Sequence, residues 1–260
     1  MKNNLNLQDL KKVFIKLGIK KKDKIQVNSN ILNIIKSKKK NFTPDQIIDI
    51  LIDIVTPNGT LMFPAYNWNF CNGASFKYLE TQSLTGALSN LTLQRKDFLR
   101  SLNPIYSFSI YGKDKIKISK LKHKSCFSLN SPFGYLIKSN GKNLFIDLDY
   151  KEALTYVHVA EETVKVNYRY LKKFTGPYFD INNKRKKKSF LMYVRKPKMA
   201  ESTIIHKKFD NILKKNKALK IIKFKGHKFS IIDLKKTYQL MVHDIKKKGG
   251  MVYPILINKK

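Results

Sequence analysis

The sequence predicts an α/β fold with three layers, α/β/α, around a central, largely parallel or mixed sheet, and an additional C-terminal portion of β-hairpin and helix. Two observations predict it: strand and helix patterns alternate through the first half, and a hairpin pattern follows Gly176. With 260 residues and 42% hydrophobic content, the chain can build one large domain with a sizeable core. We expect a single domain over residues 1–260, in which residues 176–260 could form a C-terminal subdomain.

The first part of the chain has the order helix, strand, helix, strand. Apolar residues at spacings of three and four predict an amphipathic helix over residues 7–17, and residues 24–28 predict a short strand. A second helix follows Thr43, which is suited to capping, with Pro44 at its first position. Residues 60–66 form an apolar run typical of a buried strand. This order favours parallel pairing with a right-handed connection.

The middle of the chain holds a long polar and aromatic segment. It covers residues 67–97 and includes a predicted helix over residues 86–94. Long irregular segments inside compact domains are more often functional than filler. Strands are predicted at residues 107–111 and 143–147, and a turn at residues 130–134 leads into a short helix between them.

A histidine and two carboxylates occupy the helix pattern after the last of these strands. Asp149 lies three residues before Glu152 in a capping arrangement, so we expect the helix to begin there and to carry His158 about two turns in. At helical spacing Glu161 and Glu162 share a face with His158, which makes the histidine a candidate general base. A solvated face and a buried helix histidine are the two competing interpretations.

The C-terminal part has a different pattern. Residues 177–197 predict a hairpin with its turn at residues 182–184, and residues 204–216 predict a helix. Two short strands around Gly226 and a final helix over residues 234–248 complete the chain.

The charge is strongly positive, with 53 Lys and Arg against 18 Asp and Glu, formally +35. Such a balance first suggests nucleic-acid binding. Recognition of phosphate and base edges favours arginine, however. Only five basic residues are arginine: Arg95, Arg100, Arg169, Arg185 and Arg195. The composition therefore disfavours nucleic-acid binding, and an AT-rich genome would explain much of the lysine. The field still attracts anionic ligands.

The sequence lacks a long apolar run, a signal-like N-terminus and cysteines at metal-site spacing. No apolar run reaches about 18 residues, and charges interrupt the N-terminus before a signal-like region could form. We therefore expect a cytoplasmic protein without a membrane span. Cys71 and Cys126 lack metal-site or disulfide-framework spacing, so we expect two reduced thiols and no metal.

Several separated motifs resemble one family, the aminoglycoside N3-acetyltransferases, also called antibiotic N-acetyltransferases. The matching pieces are LGI followed by VNSN, TPNGTLMFPAYNW, LTGALS, RSLNPIYSF, SPFG and TYVHVAEE, which span about residues 10–176 in the family's order. Asn28 and Asn103 stand where the family has histidine in its V-H-S-S and H-P motifs.

The resemblance implies transfer of an acyl group, usually acetyl, from coenzyme A to a sugar amine. His158 matches the family's general base and Glu161 the carboxylate that orients it, which leaves Glu162 solvated. Ser107 matches the serine beside the thioester. By the same resemblance, residues at the coenzyme are Ser29, Asn30, Ile31, Asn103, Ser107, Ser131 and Phe133.

Residue chemistry is compatible with this reaction. A sugar ammonium must lose a proton before it attacks a thioester, and a histidine with a pKa of about 6.5 can accept it near neutral pH. A covalent route through Cys71 or Cys126 lacks a histidine at a recognisable spacing, so direct transfer is preferred.

The charge directs the choice of acceptor. Polycationic antibiotics need carboxylates, which are few here, so we expect an anionic amino sugar, most plausibly a nucleotide-linked one in surface-polysaccharide (O-antigen or capsule) synthesis. Acceptor contacts are expected from Tyr66, Asn67, Trp68 and Asn69, although the aromatic residues could equally serve core packing. An aminoglycoside acceptor, a longer acyl-CoA donor and a basic nucleic-acid-binding protein on this scaffold also stay open. A homodimer is a further alternative that stays open.

Overall fold

The computed structural model describes residues 5–35 and 42–256. Its α-helices are Leu7–Leu17 (α1), Leu32–Ile35 (α2), Pro44–Val55 (α3), Ala87–Gln94 (α4), Lys115–Ser119 (α5), Pro132–Lys138 (α6), Tyr150–Ala153 (α7), Tyr156–Val164 (α8), Phe209–Lys215 (α9) and Leu234–Lys247 (α10). Its β-strands are Lys24–Ser29 (β1), Thr60–Tyr66 (β2), Phe76–Lys77 (β3), Leu99–Arg100 (β4), Tyr106–Gly112 (β5), Lys142–Ile146 (β6), Arg169–Phe179 (β7), Arg185–Arg195 (β8), Ala200–Ile205 (β9), Leu219–Phe224 (β10), His227–Asp233 (β11) and Val252–Leu256 (β12).

The central sheet has the strand order β10-β11-β6-β1-β2-β5-β4. Strand β1 is parallel to both of its neighbours, β2 and β6. Strands β5 and β11 are antiparallel to β2 and β6, respectively. The sheet is therefore mixed with a parallel centre, which confirms the predicted fold class. Because β10 and β11 belong to this sheet, the C-terminal portion shares the central sheet with the rest of the chain.

Side chains of the central strands alternate between two faces, and helices cover both faces. Ile25 and Val27 of β1 pack in one core with α1 and α3. Phe145 of β6 packs in a second core with α6, α8 and α10. Successive strand residues point to opposite faces. Gln26 accordingly lies on the second face, where its Oε1 accepts a hydrogen bond from the Tyr156 hydroxyl at 3.0 Å. These are the three predicted layers.

Helices α1 and α3 form as predicted because their ends carry capping groups. Asn6 accepts the backbone N–H of Asp9 at 2.8 Å, and the Asp9 carboxylate accepts the N–H of Asn6 at 3.1 Å. Gly18 ends α1 with a φ of 97°, which glycine adopts without strain. At the start of α3, the Gln46 side chain accepts the N–H of Thr43 at 2.8 Å.

The helix that carries His158 begins later than predicted. Asp149 does cap a helix, since its side chain accepts the Lys151 N–H at 3.0 Å, but that helix is the single turn α7. Leu154 then leaves the helical conformation, with a ψ of 74°. A second helix, α8, begins at Tyr156. His158 therefore lies in the first turn of a short helix rather than two turns into a long one.

The helix predicted over residues 204–216 is wrong in its first part. Strand β9 occupies Ala200–Ile205 and pairs antiparallel with β12, which confines the helix to α9. β-Branched side chains in the second half of β9 fit an extended, paired strand. The hairpin of β7 and β8 is confirmed, but β7 begins at Arg169, earlier than the pattern suggests.

The fold brings three chain segments to one edge of the sheet. Because β1, β2 and β6 are parallel neighbours, the segments after them leave from the same edge. Ligands of open α/β sheets bind at such an edge. Among the described residues, the structure has no helix with the length and apolar character needed to cross a bilayer.

Candidate active site

His158 lies in the first turn of α8, which follows β6 and the single turn α7 in the chain. Its backbone N–H bonds to the Thr155 carbonyl at 3.0 Å, which fixes the start of the turn. The side chain is 25% exposed. It lines two adjoining cavities at once, so the imidazole can be reached by ligands from two directions.

Glu161 fixes the orientation of this imidazole. The Nδ1 atom of His158 lies 2.8 Å from Oε2 of Glu161. An ionised carboxylate only accepts hydrogen bonds, so the proton belongs on Nδ1. This leaves the Nε2 atom of the neutral ring with a lone pair that can accept a proton.

Glu161 is fully buried and held by four groups. Besides His158, the hydroxyls of Tyr168 and Thr203 donate to its Oε1 at 3.0 and 2.6 Å. Nε of Arg169 lies 2.8 Å from Oε2, in an ion pair without hydrogen-bond alignment. Burial by itself would raise the pKa of Glu161, but the hydrogen bond from His158 and the positive charges nearby outweigh it and hold the pKa below its ordinary value.

The lowered pKa of Glu161 predicts how stability depends on pH. The ordinary carboxyl pKa is 4.5 and the folded value is lower, so the ionised form stabilises the native state fully above about pH 4.5. This contribution is lost as the pH falls through the folded pKa. We expect urea denaturation to show a decline in unfolding free energy on acidification below about pH 4.5, and a flatter decline in Glu161→Gln. Equal slopes in both proteins would contradict this prediction.

Two cavities meet at His158. The larger has a volume of about 820 Å³ and is walled mainly by the ends of β8 and β9. The smaller has a volume of about 420 Å³ and lies at the ends of β1 and β2. Both cavities are lined by Trp68, Tyr106 and His158. A group transferred between a ligand in one cavity and a ligand in the other would pass this junction.

Some of the residues expected to bind ligands do line these cavities. Ser29 lines the smaller cavity beside Asn28, and Tyr66 lines it from β2. Trp68, which is 37% exposed, lines both cavities. Its indole packs edge-on against Tyr106 at 6.1 Å between ring centroids, so the aromatic segment contributes directly to the wall.

Three residues expected at the coenzyme are instead buried by packing or by strand contacts. Ile31 and Phe133 belong to the two hydrophobic cores. Ser107 is fully buried, where it donates to the Ala65 carbonyl at 2.6 Å and accepts from Arg100 Nε at 3.0 Å. The side chains of these three residues line neither cavity.

Ser131 and Asn103 also serve the backbone rather than the cavities. Ser131 caps α6 by accepting the Gly134 N–H at 3.4 Å. The Asn103 side-chain oxygen accepts the N–H groups of Ile105 and Tyr106, both at 2.9 Å. Asn103 therefore fixes the turn that places Tyr106 at the cavity junction.

Three further asparagines expected at the ligands lie outside the cavity walls. Asn30 is exposed, and its backbone N–H bonds to the Ile146 carbonyl at 2.9 Å. Asn67 is buried, donating to the Gln82 carbonyl at 2.8 Å and accepting the Asn69 N–H at 2.9 Å. Asn69 itself is exposed at the start of a 3-10 turn. The structure gives these residues roles in turns.

Several residues of the cavity walls have no recognisable signal in the sequence. Tyr106 lies inside the RSLNPIYSF motif, but nothing in the motif distinguishes a wall residue from a packing one. Phe127 lines the larger cavity and packs against His158, with 5.1 Å between ring centroids. Arg169 and Arg195 line the same cavity from the hairpin strands. Their contact with the site depends on folding of the hairpin back onto α8.

Glu162 is not the solvated residue that we expected. It is half-buried, and its carboxylate accepts a hydrogen bond from the Ser125 hydroxyl at 2.6 Å. Burial raises its pKa above the ordinary value despite this hydrogen bond. In the described ranges, no three His, Cys, Asp or Glu side chains form a group that could hold a metal ion.

Solved structures with a similar fold include aminoglycoside acetyltransferases and a protein from Bacillus subtilis. AAC-IIIb in binary complex with CoASH has 16% identity and a TM-score of 0.75, over 94% of this chain and 97% of that one. Sisomicin-bound AAC-VIa has 14% identity and a TM-score of 0.78, over 95% and 99%. The YokD protein of Bacillus subtilis has 20% identity and a TM-score of 0.71, over 92% and 98%. At these identities the likeness concerns the fold.

Sequence comparison goes further than the fold. No curated protein sequence matches the chain significantly. The sequence profile described as aminoglycoside 3-N-acetyltransferase, however, matches residues 33–246. This match confirms the predicted enzyme class, an N-acetyltransferase with acetyl-CoA as donor. It also favours the aminoglycoside acceptor over the nucleotide-linked amino sugar that the charge suggests. The chain belongs to the aminoglycoside 3-N-acetyltransferase family.

Proposed function

We propose that this protein transfers the acetyl group of acetyl-CoA directly to the amine of an amino sugar, with His158 as general base. The observation that carries this proposal is the His158–Glu161 pair at the junction of two cavities. One cavity can hold the thioester while the other holds the amine, and the imidazole is in reach of both.

The transfer step follows from the state of the imidazole. Nε2 takes the proton that the ammonium group must lose, and the freed amine nitrogen attacks the thioester carbonyl carbon. The carbon–sulfur bond then breaks with its electron pair on sulfur, and the proton held by His158 passes to the thiolate. Glu161 stabilises the positive imidazolium between these two transfers. The attacking nitrogen then loses its second proton to the neutral imidazole, which passes it to solvent. The products are the amide, the free thiol and one released proton, and His158 returns to its neutral form.

The smaller cavity is the better place for the thioester arm of the donor. Asn28 and Ser29 line it at the end of β1, and Gly86 lines it at the start of α4. Gly86 has a φ of 74°, a conformation that favours glycine. Asn28 and Ser29 fall within the VNSN motif, which the family resemblance assigns to the coenzyme side.

A covalent route through either cysteine is unfavourable. Burial raises the pKa of Cys71 to about 11 and raises the pKa of the fully buried Cys126 as well. A thiolate is the reactive form, and both thiols are protonated at neutral pH. Direct transfer therefore remains the proposed route.

Two acceptor classes have separate support. The family description and the sisomicin-bound relative support an aminoglycoside. The wall of the larger cavity supports an anionic acceptor such as a nucleotide-linked amino sugar, because its described lining includes the exposed Arg195 and no carboxylate, while Arg169 is already paired with Glu161. Polycations bind poorly to such a wall.

A thiol-release assay tests the proposal. Acetyl-CoA would be combined with purified protein and a panel containing sisomicin, neutral amino sugars and nucleotide-linked amino sugars. We expect thiol release with at least one member and loss of that release in His158→Ala. Release with aminoglycosides alone would remove the anionic candidate, and release with nucleotide-linked sugars alone would remove the aminoglycoside. Absence of release across the panel would contradict amino-sugar acetylation.

A further inference from the structure

Two arginines face each other across the hairpin at the wall of the larger cavity. Arg169 of β7 and Arg195 of β8 are direct partners in the antiparallel register. Both line the larger cavity, so their side chains share one face of the hairpin. Like charges placed directly opposite each other destabilise a strand pair. An anion is therefore expected beside them.

The described part of the protein supplies a carboxylate counter-charge for Arg169 but not for Arg195. Arg169 is almost fully buried; its Nε is paired with Glu161, and its remaining nitrogens donate to the Tyr193 carbonyl and the Thr203 hydroxyl, both at 3.1 Å. Arg195 is exposed at the cavity. Among the side chains that the structure describes, no carboxylate lies within ion-pairing distance of Arg195.

The residue type at this position is informative because lysine dominates the chain. Of 53 basic residues only five are arginine. Nevertheless, the described residues that line the larger cavity include two arginines and no lysine. A composition bias towards lysine does not produce this distribution. Arginine's planar guanidinium binds the two oxygens of a phosphate or carboxylate together, which a lysine ammonium does not.

We propose that Arg195 binds a phosphate group of the acyl acceptor in the larger cavity. This inference rests on the proposed acetyl transfer, and it names the acceptor class as a phosphorylated amino sugar. A phosphate could also come from coenzyme A. The acceptor is the assigned source because the larger cavity lies on the hairpin side of His158, away from Asn28 and Ser29 at the smaller cavity. Ser202, which also lines the larger cavity, adds a hydroxyl that can donate to the same anion.

Equilibrium binding gives the first test, since it needs no turnover. Calorimetry would measure the affinity of the protein for glucosamine 6-phosphate and for glucosamine, which differ only in the phosphate. We expect the wild type to bind the phosphorylated sugar more tightly and Arg195→Gln to lose about tenfold in that affinity alone. Arg195→Lys should recover only part of it. Arg185→Gln, at the other end of β8 and outside the cavity, is the matched control and should bind like the wild type.

A second arm separates the two sources of phosphate. Coenzyme A and 3′-dephospho-coenzyme A would be titrated into the wild type and Arg195→Gln, and we expect the substitution to change neither affinity. A loss confined to coenzyme A, or equal binding of both sugars by the wild type, would overturn the proposal. If Arg195→Gln weakens binding of glucosamine 6-phosphate but no sugar is acetylated, the phosphate site stands and the proposed reaction fails.

Discussion

His158→Ala is expected to lower kcat for acetyl transfer by about 10²–10⁴-fold, because the variant has no group to accept the ammonium proton. Nε2 of His158 is the proton acceptor at the cavity junction, and its ring is oriented by the 2.8 Å contact from Nδ1 to Glu161. The affinity for coenzyme A should change little, since the substitution removes a partly exposed ring at the meeting point of the cavities. Thiol release measured at saturating substrates would report kcat directly.

The control for this prediction is His243→Ala. His243 is exposed on α10, and it lines neither of the two cavities. Its replacement should leave kcat unchanged. Calorimetric titration with coenzyme A would show that His158→Ala still folds and binds its donor. Equal turnover of His158→Ala and the wild type would remove His158 as the base.

Glu161→Gln is expected to lower the free energy of unfolding by about 3–5 kcal/mol, because it leaves the charge of Arg169 buried without a counter-charge. Arg169 is only 7% exposed. The amide of glutamine also brings a donor to a position where Tyr168 and Thr203 already donate. Urea denaturation at pH 7 would measure the loss. Turnover should fall as well, because the imidazole loses the carboxylate that stabilises its protonated form.

Two further variants test whether the stability lost in Glu161→Gln comes from the unpaired charge of Arg169 or from general disruption of the packing. Glu162→Gln alters the adjacent carboxylate, which is half-buried and has a single hydrogen bond from Ser125; it should cost only about 1 kcal/mol. The double variant Glu161→Gln/Arg169→Met removes the unpaired charge and should recover part of the stability lost in the single variant. If the double variant is less stable than the single one, charge burial is not the cause of the loss.

Local signals explain which parts of the fold could be predicted. The capped ends of α1 and α3 lie within a few residues of the groups that cap them, so the sequence contains the complete signal. The break between α7 and α8 at Leu154 has no such local signal, because alanine and leucine around it favour helix. Strand β9 depends on pairing with β12, which lies about fifty residues away in the chain. Pairing over such distances leaves little trace in a local pattern.

The same distinction applies to the site. His158 and Glu161 are three residues apart, and helical spacing alone brings them together. Arg169 and Thr203 reach Glu161 only after the hairpin and β9 have packed against α8. Motif positions such as Ser107 and Asn103, which we expect to contact the coenzyme, make hydrogen bonds to backbone groups in this structure. A motif match can indicate that a residue belongs to the site, but it does not show whether that residue contacts the ligand.

The two asparagines at the family's histidine positions do not ionise. Asn28 accepts a hydrogen bond from Gln26 Nε2 at 2.8 Å, and Asn103 holds the turn at Tyr106. Neither amide gains or loses a proton between acid and alkaline conditions. These two asparagines therefore keep the same charge and the same hydrogen bonds when the pH changes. A histidine at either position would instead change its charge near neutral pH, and the hydrogen bonds that it makes would change with it.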